Sequence, residues 1–223
     1  MKRLILTALT GSAIATSAGA ATLYSNDFGA NDGGFTVSNA AITPANGFAY
    51  STGVWNLAGE GNLGAPSSSA LVSPSISVTA TGLVTLSVDH RYSFEFDGTR
   101  WDGGQIQLSV NGGAFAAVPN SAFTANGYAG VIAGNNALTG TLAFNDNSAG
   151  YATPAFITST ADLGSFNAGD TLNVRFLAAY DEFATASVPG WEITSVTVNR
   201  VPEPAAAVSG LLGLAALGLR RRR

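Results

Sequence analysis

Glu95 and Asp97 stand two residues apart in this 223-residue chain, and the only histidine, His90, lies just ahead of them. Two carboxylates on one strand face are the raw material of glycoside hydrolysis, one as acid and one as base or nucleophile. Here no further glutamate follows, since Gly98, Thr99 and Arg100 come next. Alternating polar residues on an exposed strand produce the same pattern without chemistry. The other hydrolytic routes are closed. The chain has no cysteine, so a thiol nucleophile is excluded. It has one histidine where a zinc protease needs two or three. It has no G-x-S-x-G elbow to accompany a serine triad. The expectation is a protein with no catalytic residues, with hydrolysis by Glu95 and Asp97 the weakest of three readings.

Oxygen-rich turns allow a second kind of site. Hard cations take several oxygen ligands, and Asp97 and Asp102 flank one glycine-containing turn. Asp27, Asp181 and Glu192 would join them, or one another, if the topology brings their loops together, giving a structural calcium ion. The alternative is that Asp and Gly serve the turns themselves. A third site type is a sugar platform: Trp55, Trp101 and Tyr128 fall in segments read as loops, where an aromatic ring can stack on a pyranose or simply anchor the loop.

Composition narrows the partners. Setting aside Lys2, Arg3 and the four terminal arginines, only Arg91, Arg100, Arg175 and Arg200 remain, against 14 acidic residues in the whole chain. No nucleic acid is expected, because a phosphate backbone needs a basic footprint. Lacking disulfides, the chain must rely on its core, or on a metal.

The elements that would carry these residues are strands. Over 84–97 the even positions Val84, Leu86, Val88, His90, Tyr92, Phe94 and Phe96 alternate with polar odd positions, which predicts one long strand with a buried face. Residues 105–110 predict a strand with Ile106, Leu108 and Val110 inward, closed by the hairpin turn Asn111-Gly112-Gly113. Residues 171–180 and 191–199 read as two more strands, and shorter ones are expected at 23–28, 35–38, 115–118, 141–144 and 155–159. Pro74 interrupts a strand over 70–78. Residues 41–69 and the Gly/Asn-rich passage after Pro119 read as loops. Short strands separated by turn signals predict an all-β fold, an antiparallel β-sandwich of the jelly-roll kind.

Both ends carry addresses rather than fold. Lys2 and Arg3 precede an apolar run, and Ala18-Gly19-Ala20 supplies a small-x-small cleavage pattern before Ala21, as in a secretory signal peptide. At the other end Pro202-Glu203-Pro204 precedes an apolar run over 205–219 and then Arg220, Arg221, Arg222 and Arg223. As a helix that run spans roughly 22 Å, short of a bilayer core of about 30 Å, and the arginines hold its end on the cytoplasmic side. The division expected is a signal peptide at 1–20, a β-sandwich domain at 21–200, and a tail with a hydrophobic helix at 201–223.

That ordered tail resembles a PEP-CTERM sorting signal, the bacterial tripartite tag handled by membrane exosortases. The resemblance implies export through the Sec translocon, removal of the leader by signal peptidase, a transient stay in the inner membrane of a Gram-negative-type bacterium, and a final place at the cell surface or outside it. The middle of the chain is similar to MAM-like jelly-roll modules of secreted bacterial proteins. The likeness runs through Phe35-Thr36-Val37, the Trp55 loop, the 70–74 segment, Asp102-Gly103-Gly104, Asn126-Gly127-Tyr128, Ala168-Gly169-Asp170 and Gly190-Trp191-Glu192-Ile193. It departs at Thr194-Ser195, where such modules often carry paired aspartates that could help hold calcium. The function expected is a non-enzymatic structural or adhesive role at the surface. Its alternative is a carbohydrate-binding module for exopolysaccharide.

Overall fold

A computed structural model of the chain describes residues 20–40, 47–57, 64–182 and 190–201. The leader (with Ala18) and the tail, with Pro202, Glu203, Pro204, Arg220, Arg221, Arg222 and Arg223, lie outside the described residues, as do the two terminal helices expected there. Among the described residues the only helical element is a 3₁₀ turn, Asn120–Ala122, and no helix is long and apolar enough to cross a membrane.

Strand β1 (Ala21–Asn26) starts at the residue expected to follow cleavage, and β2 (Thr36–Ala40) comes after a turn in which Gly33 and Gly34 take positive φ. A hairpin of β3 (Phe48–Ser51) and β4 (Val54–Leu57) then occupies part of the segment read as loop. Pro74 separates β5 (Ser67–Val72) from the short β6 (Ile76–Ser77), because it has no N–H to give a ladder. The two long strands β7 (Gly82–Tyr92) and β8 (Gly103–Val110) follow, then β9 (Ala116–Ala117). Asn111 and Gly112 both have positive φ, as a type I′ turn requires. Beyond the 3₁₀ turn come β10 (Phe123–Ala125), β11 (Gly130–Val131) and β12 (Leu142–Ala143), and then the long strands β13 (Ile157–Phe166), β14 (Thr171–Tyr180) and β15 (Trp191–Val201).

All pairings among these strands are antiparallel. The first sheet runs β10-β13-β7-β15-β4-β3, with β1 sharing the second edge of β15. The second runs β2-β5-β14-β8-β9, with β6 beside the start of β14, and β11 and β12 form a small pair of their own. The inner faces close on one apolar core. Val84, Leu86 and Val88 of β7 and Val196 and Val198 of β15 meet Leu71, Ile106, Val174 and Phe176 of the other sheet.

Trp191 ties the layers together. Its ring centroid lies 5.9 Å from that of Phe176 on the opposite sheet and within 5.8–6.0 Å of Phe94, Phe48 and Phe144. It packs against bare backbone on β8: a Cβ added to Gly104 would stand 2.5 Å from Trp191 Cζ3 and 2.9 Å from Phe94 Cζ.

Three further sequence expectations need correction. The 84–97 strand ends at Tyr92. Ser93 and Phe94 are both buried and give their N–H groups to Gly190 and Asp146, outside the β7 ladder, and Phe96 is exposed. On β8, Val110 is exposed at the strand end, while the outward Gln105 and Gln107 are buried, Gln105 beneath the 141–142 segment and Gln107 between Gln105 and Arg175. The 119–140 passage is not wholly loop: it holds β10, which pairs with β13, and β11, which pairs with β12.

Replacing Gly104 by alanine should lower stability by about 1–3 kcal/mol, since neither ring can retreat in a packed core. Thermal unfolding checks this, with a melting point lowered by roughly 2–4 °C per kcal/mol expected for a domain of this size.

Candidate functional site

After β7 leaves the sheet, residues 93–102 make a compact excursion before β8. It closes through an isolated bridge between Phe96 and Arg100, with Gly98 at positive φ at the tip. Asp97 organises it: its Oδ1 accepts the Thr99 N–H at 3.1 Å and the indole N–H of Trp101 at 2.9 Å. The 133–136 turn docks on the same excursion. Ala133 and Gly134 donate to the Arg100 carbonyl and Asn136 Nδ2 donates to the Trp101 carbonyl. Gly134 is required by this approach, because a side chain there would collide with the Trp101 backbone. On the far side the end of β14 is held by Asp102, buried, whose Oδ1 accepts the Asp181 N–H at 2.9 Å.

The result is a pocket of about 320 Å³ lined by Glu95, Asp97, Trp101, Asn135, Asp181 and Glu182. Burial, then the neighbouring Asp181 and Asp97, hold the Glu95 carboxyl above its ordinary pKa. Among the described residues no basic side chain lines the pocket. It offers one indole surrounded by hydrogen-bond acceptors, which suits a ligand with an apolar face and several O–H donors.

Two residues of the proposed calcium set, Asp97 and Asp181, reach this pocket, and Asp102 supports it from beneath. The other two do not come near it. Asp27 caps its own turn by accepting the Gly29 N–H at 3.0 Å. Glu192 lies opposite Arg91 in the β15–β7 pairing and forms an ion pair with it. Among the described residues no group of three or more His, Asp or Glu is placed to hold a metal ion.

The three aromatics also part company. Trp55 is a strand residue, only 4% exposed, and its indole N–H donates to the Asp32 carbonyl. Tyr128 is 7% exposed, its hydroxyl donating to the Ile106 carbonyl and accepting the Ile106 N–H. Both are core aromatics and unavailable to a sugar. Trp101 alone remains half-buried, in the pocket wall. Sequence reasoning missed Glu182 and Asn135. Glu182 had a signal, as the second acid directly after a predicted strand, whereas Asn135 had none.

His90 is fully buried among Tyr92, Phe144 and Trp191. Its Nδ1 accepts the Trp191 indole N–H at 3.0 Å, so the proton sits on Nε2, which donates to Ser159 Oγ at 2.7 Å. Ser159 Oγ in turn donates to the Asn126 carbonyl at 2.6 Å. This resembles a serine–histidine dyad only in distance: the nitrogen facing the hydroxyl already carries a proton and cannot act as base. Burial pushes the imidazole down to about 3. The unfolded chain therefore binds a proton below pH 6.5 that the folded chain refuses until about pH 3. Stability should fall through that window by up to about 1.4 kcal/mol per pH unit from this group. Urea denaturation at pH 7, 6, 5 and 4 checks it, with a shallower slope expected in His90→Gln.

No protein-family model matches this chain, and no curated protein does. Among solved structures it is similar to TmCBM61 in complex with β-1,4-galactotriose, at 9% identity over 74% of this chain and 88% of that one, with a TM-score of 0.39. It is also similar to a CBM35 from Cellvibrio japonicus, at 20% identity over 77% and 94% of the two chains, TM-score 0.29. A third is the C-terminal CBM6 of a marine laminarinase from Zobellia galactanivorans, at 14% identity over 81% and 98%, TM-score 0.28. At such identities and scores the likenesses carry no argument about what this chain binds.

Proposed function

We propose that this chain is an exported, surface-sorted protein whose sandwich, of jelly-roll type, binds carbohydrate without transforming it. The observation that carries the reading is the pocket around Trp101: a half-exposed indole beside Glu95, Asp97, Asp181, Glu182 and Asn135. Carboxylates accept sugar hydroxyls through charge-assisted bonds, and the ring takes the C–H face of a pyranose. The pocket lies near the lower end of the size range of small-ligand sites, which suits one or two sugar rings. A purely structural or adhesive sandwich needs no such pocket, so binding of exopolysaccharide is preferred to it.

Glycan-array screening of the full-length protein, with titration of the best neutral oligosaccharide, tests the pocket. Trp101→Ala should weaken binding by about tenfold or more, equivalent to about 1.4 kcal/mol. Binding that ignores Trp101, or no glycan bound at all, would refute the reading. Release of shorter sugars that stops in Glu95→Gln would convert it into the hydrolase reading.

Sorting is proposed on the sequence of the ends. The leader is removed before Ala21, the apolar run holds in the inner membrane with its arginines cytoplasmic, and an exosortase acts near Pro202-Glu203-Pro204. The last strand ends at Val201, paired with Leu83. Deleting residues 202–223 should therefore redirect the protein among cell fractions without unfolding the domain, whose described strands end at Val201. Fractionation with immunoblotting checks the first and calorimetry the second.

A further inference from the structure

Among the described residues, the outward face of the second sheet carries one cation with no counter-charge. Val174 and Phe176 point into the core, so Arg175 between them points out. Its register neighbours are Val72 and Gln107, and Asn173 and Leu177 lie one pleat along the strand, all uncharged. Among the described residues Arg175 has no ion pair, in a chain with 14 acidic residues. The other arginines are engaged differently: Arg91 with Glu192, Arg100 through Nε with Asn145 Oδ1, and Arg200 buried.

The guanidinium is also held in place. Its Nε donates to Gln107 Oε1 at 2.6 Å, and its plane is fixed over Phe115, with the guanidinium carbon 4.2 Å from the ring centroid. Gln107 passes the anchor on, donating to Gln105 Oε1 at 2.7 Å, and Gln105 donates to the Leu142 carbonyl at 3.0 Å. Both glutamines are buried, at 8% and 3% exposed. With Nε used internally, the Nη1 and Nη2 edge keeps the forked donor pair that matches a carboxylate. Burial without a compensating anion lowers the Arg175 pKa from its ordinary value.

We infer that this face binds an acidic polysaccharide, with Arg175 receiving a uronate carboxylate and Phe115 bordering the sugar ring. The inference deepens the carbohydrate reading by naming a glycan class, and it uses a face distinct from the Trp101 pocket. A carboxylate polymer fits because every near neighbour of Arg175 on the face is neutral and none repels it. A sugar is favoured over an acidic peptide because the half-buried Phe115 beside the guanidinium gives a ring face on which a pyranose can stack.

Isothermal titration of the full-length protein with oligogalacturonate, its carboxyl-reduced counterpart and poly-glutamate at 0.15 M salt tests it. Arg175→Gln should lose about tenfold or more in affinity for oligogalacturonate, and Arg175→Lys should lose several-fold, since it keeps the charge without the fork. Trp101→Ala should leave that binding unchanged. If Arg175→Gln fails to fold by circular dichroism, the lysine variant carries the comparison. Equal binding of the carboxyl-reduced sugar or of poly-glutamate overturns the inference, as does uronate binding that depends on Trp101 rather than Arg175. Absence of uronate binding while the Trp101-dependent neutral glycan still binds overturns this inference alone. Absence of all glycan binding overturns both.

Discussion

The contact between Trp191 and the backbone at Gly104 sets the spacing of the two sheets. An indole from β15 lies so close to β8 that no side chain fits between them at Gly104. The aromatic cluster of Phe48, Phe94, Phe144 and Phe176 fills in around it. The indole also has one polar atom to satisfy at full burial, and His90 Nδ1 does so. That single bond fixes the histidine tautomer, and the tautomer removes the only imidazole from catalysis. In a chain without disulfides, this interdigitation stands where a cross-link would otherwise hold the layers.

The loops inherit their positions from this frame. Residues 93–102 begin where β7 leaves the ladder to let Phe94 pack on Trp191, and they end where β8 returns at Gly103. Asp181 follows the last residue of β14, whose pairing with β8 places Ala179 opposite Gly103. The buried Asp102 then links the two loops through one hydrogen bond. Carboxylates that repel one another are thereby held together by backbone geometry, and burial first, then that repulsion, raises the Glu95 pKa. A cluster kept in spite of its repulsion suits a site that accepts hydroxyl protons from a ligand.

Where the strands alternate cleanly, the sequence reads well. Residues 171–180 were legible as β14 from Leu172, Val174, Phe176 and Ala178 facing one way, and 191–199 as most of β15. β13 was read only from its first residues, because Ala161, Leu163 and Gly164 straddle a bulge that breaks the period. β3 and β4 were missed because four-residue strands in a Gly/Ala-rich passage carry too little pattern, and Trp55 was misplaced with them. Burial of Gln105 and Gln107 was illegible for a different reason. Gln105 lies beneath Leu142 and Gln107 against Arg175, and local alternation says nothing about what a distant segment lays on top.

From the residues themselves came the all-β class, the absence of a thiol nucleophile, and the expectations of two terminal addresses and of no nucleic-acid partner. Each rests on composition or on short-range order, which a linear chain displays directly. The tertiary structure decided which acids meet. Asp27 and Glu192 went to a private turn and an arginine, while Glu182 and Asn135 joined Asp97, Trp101 and Asp181. Strand pairing chooses which loops share an end of the sandwich, and those pairings join segments far apart in the chain. No local pattern of residues records them.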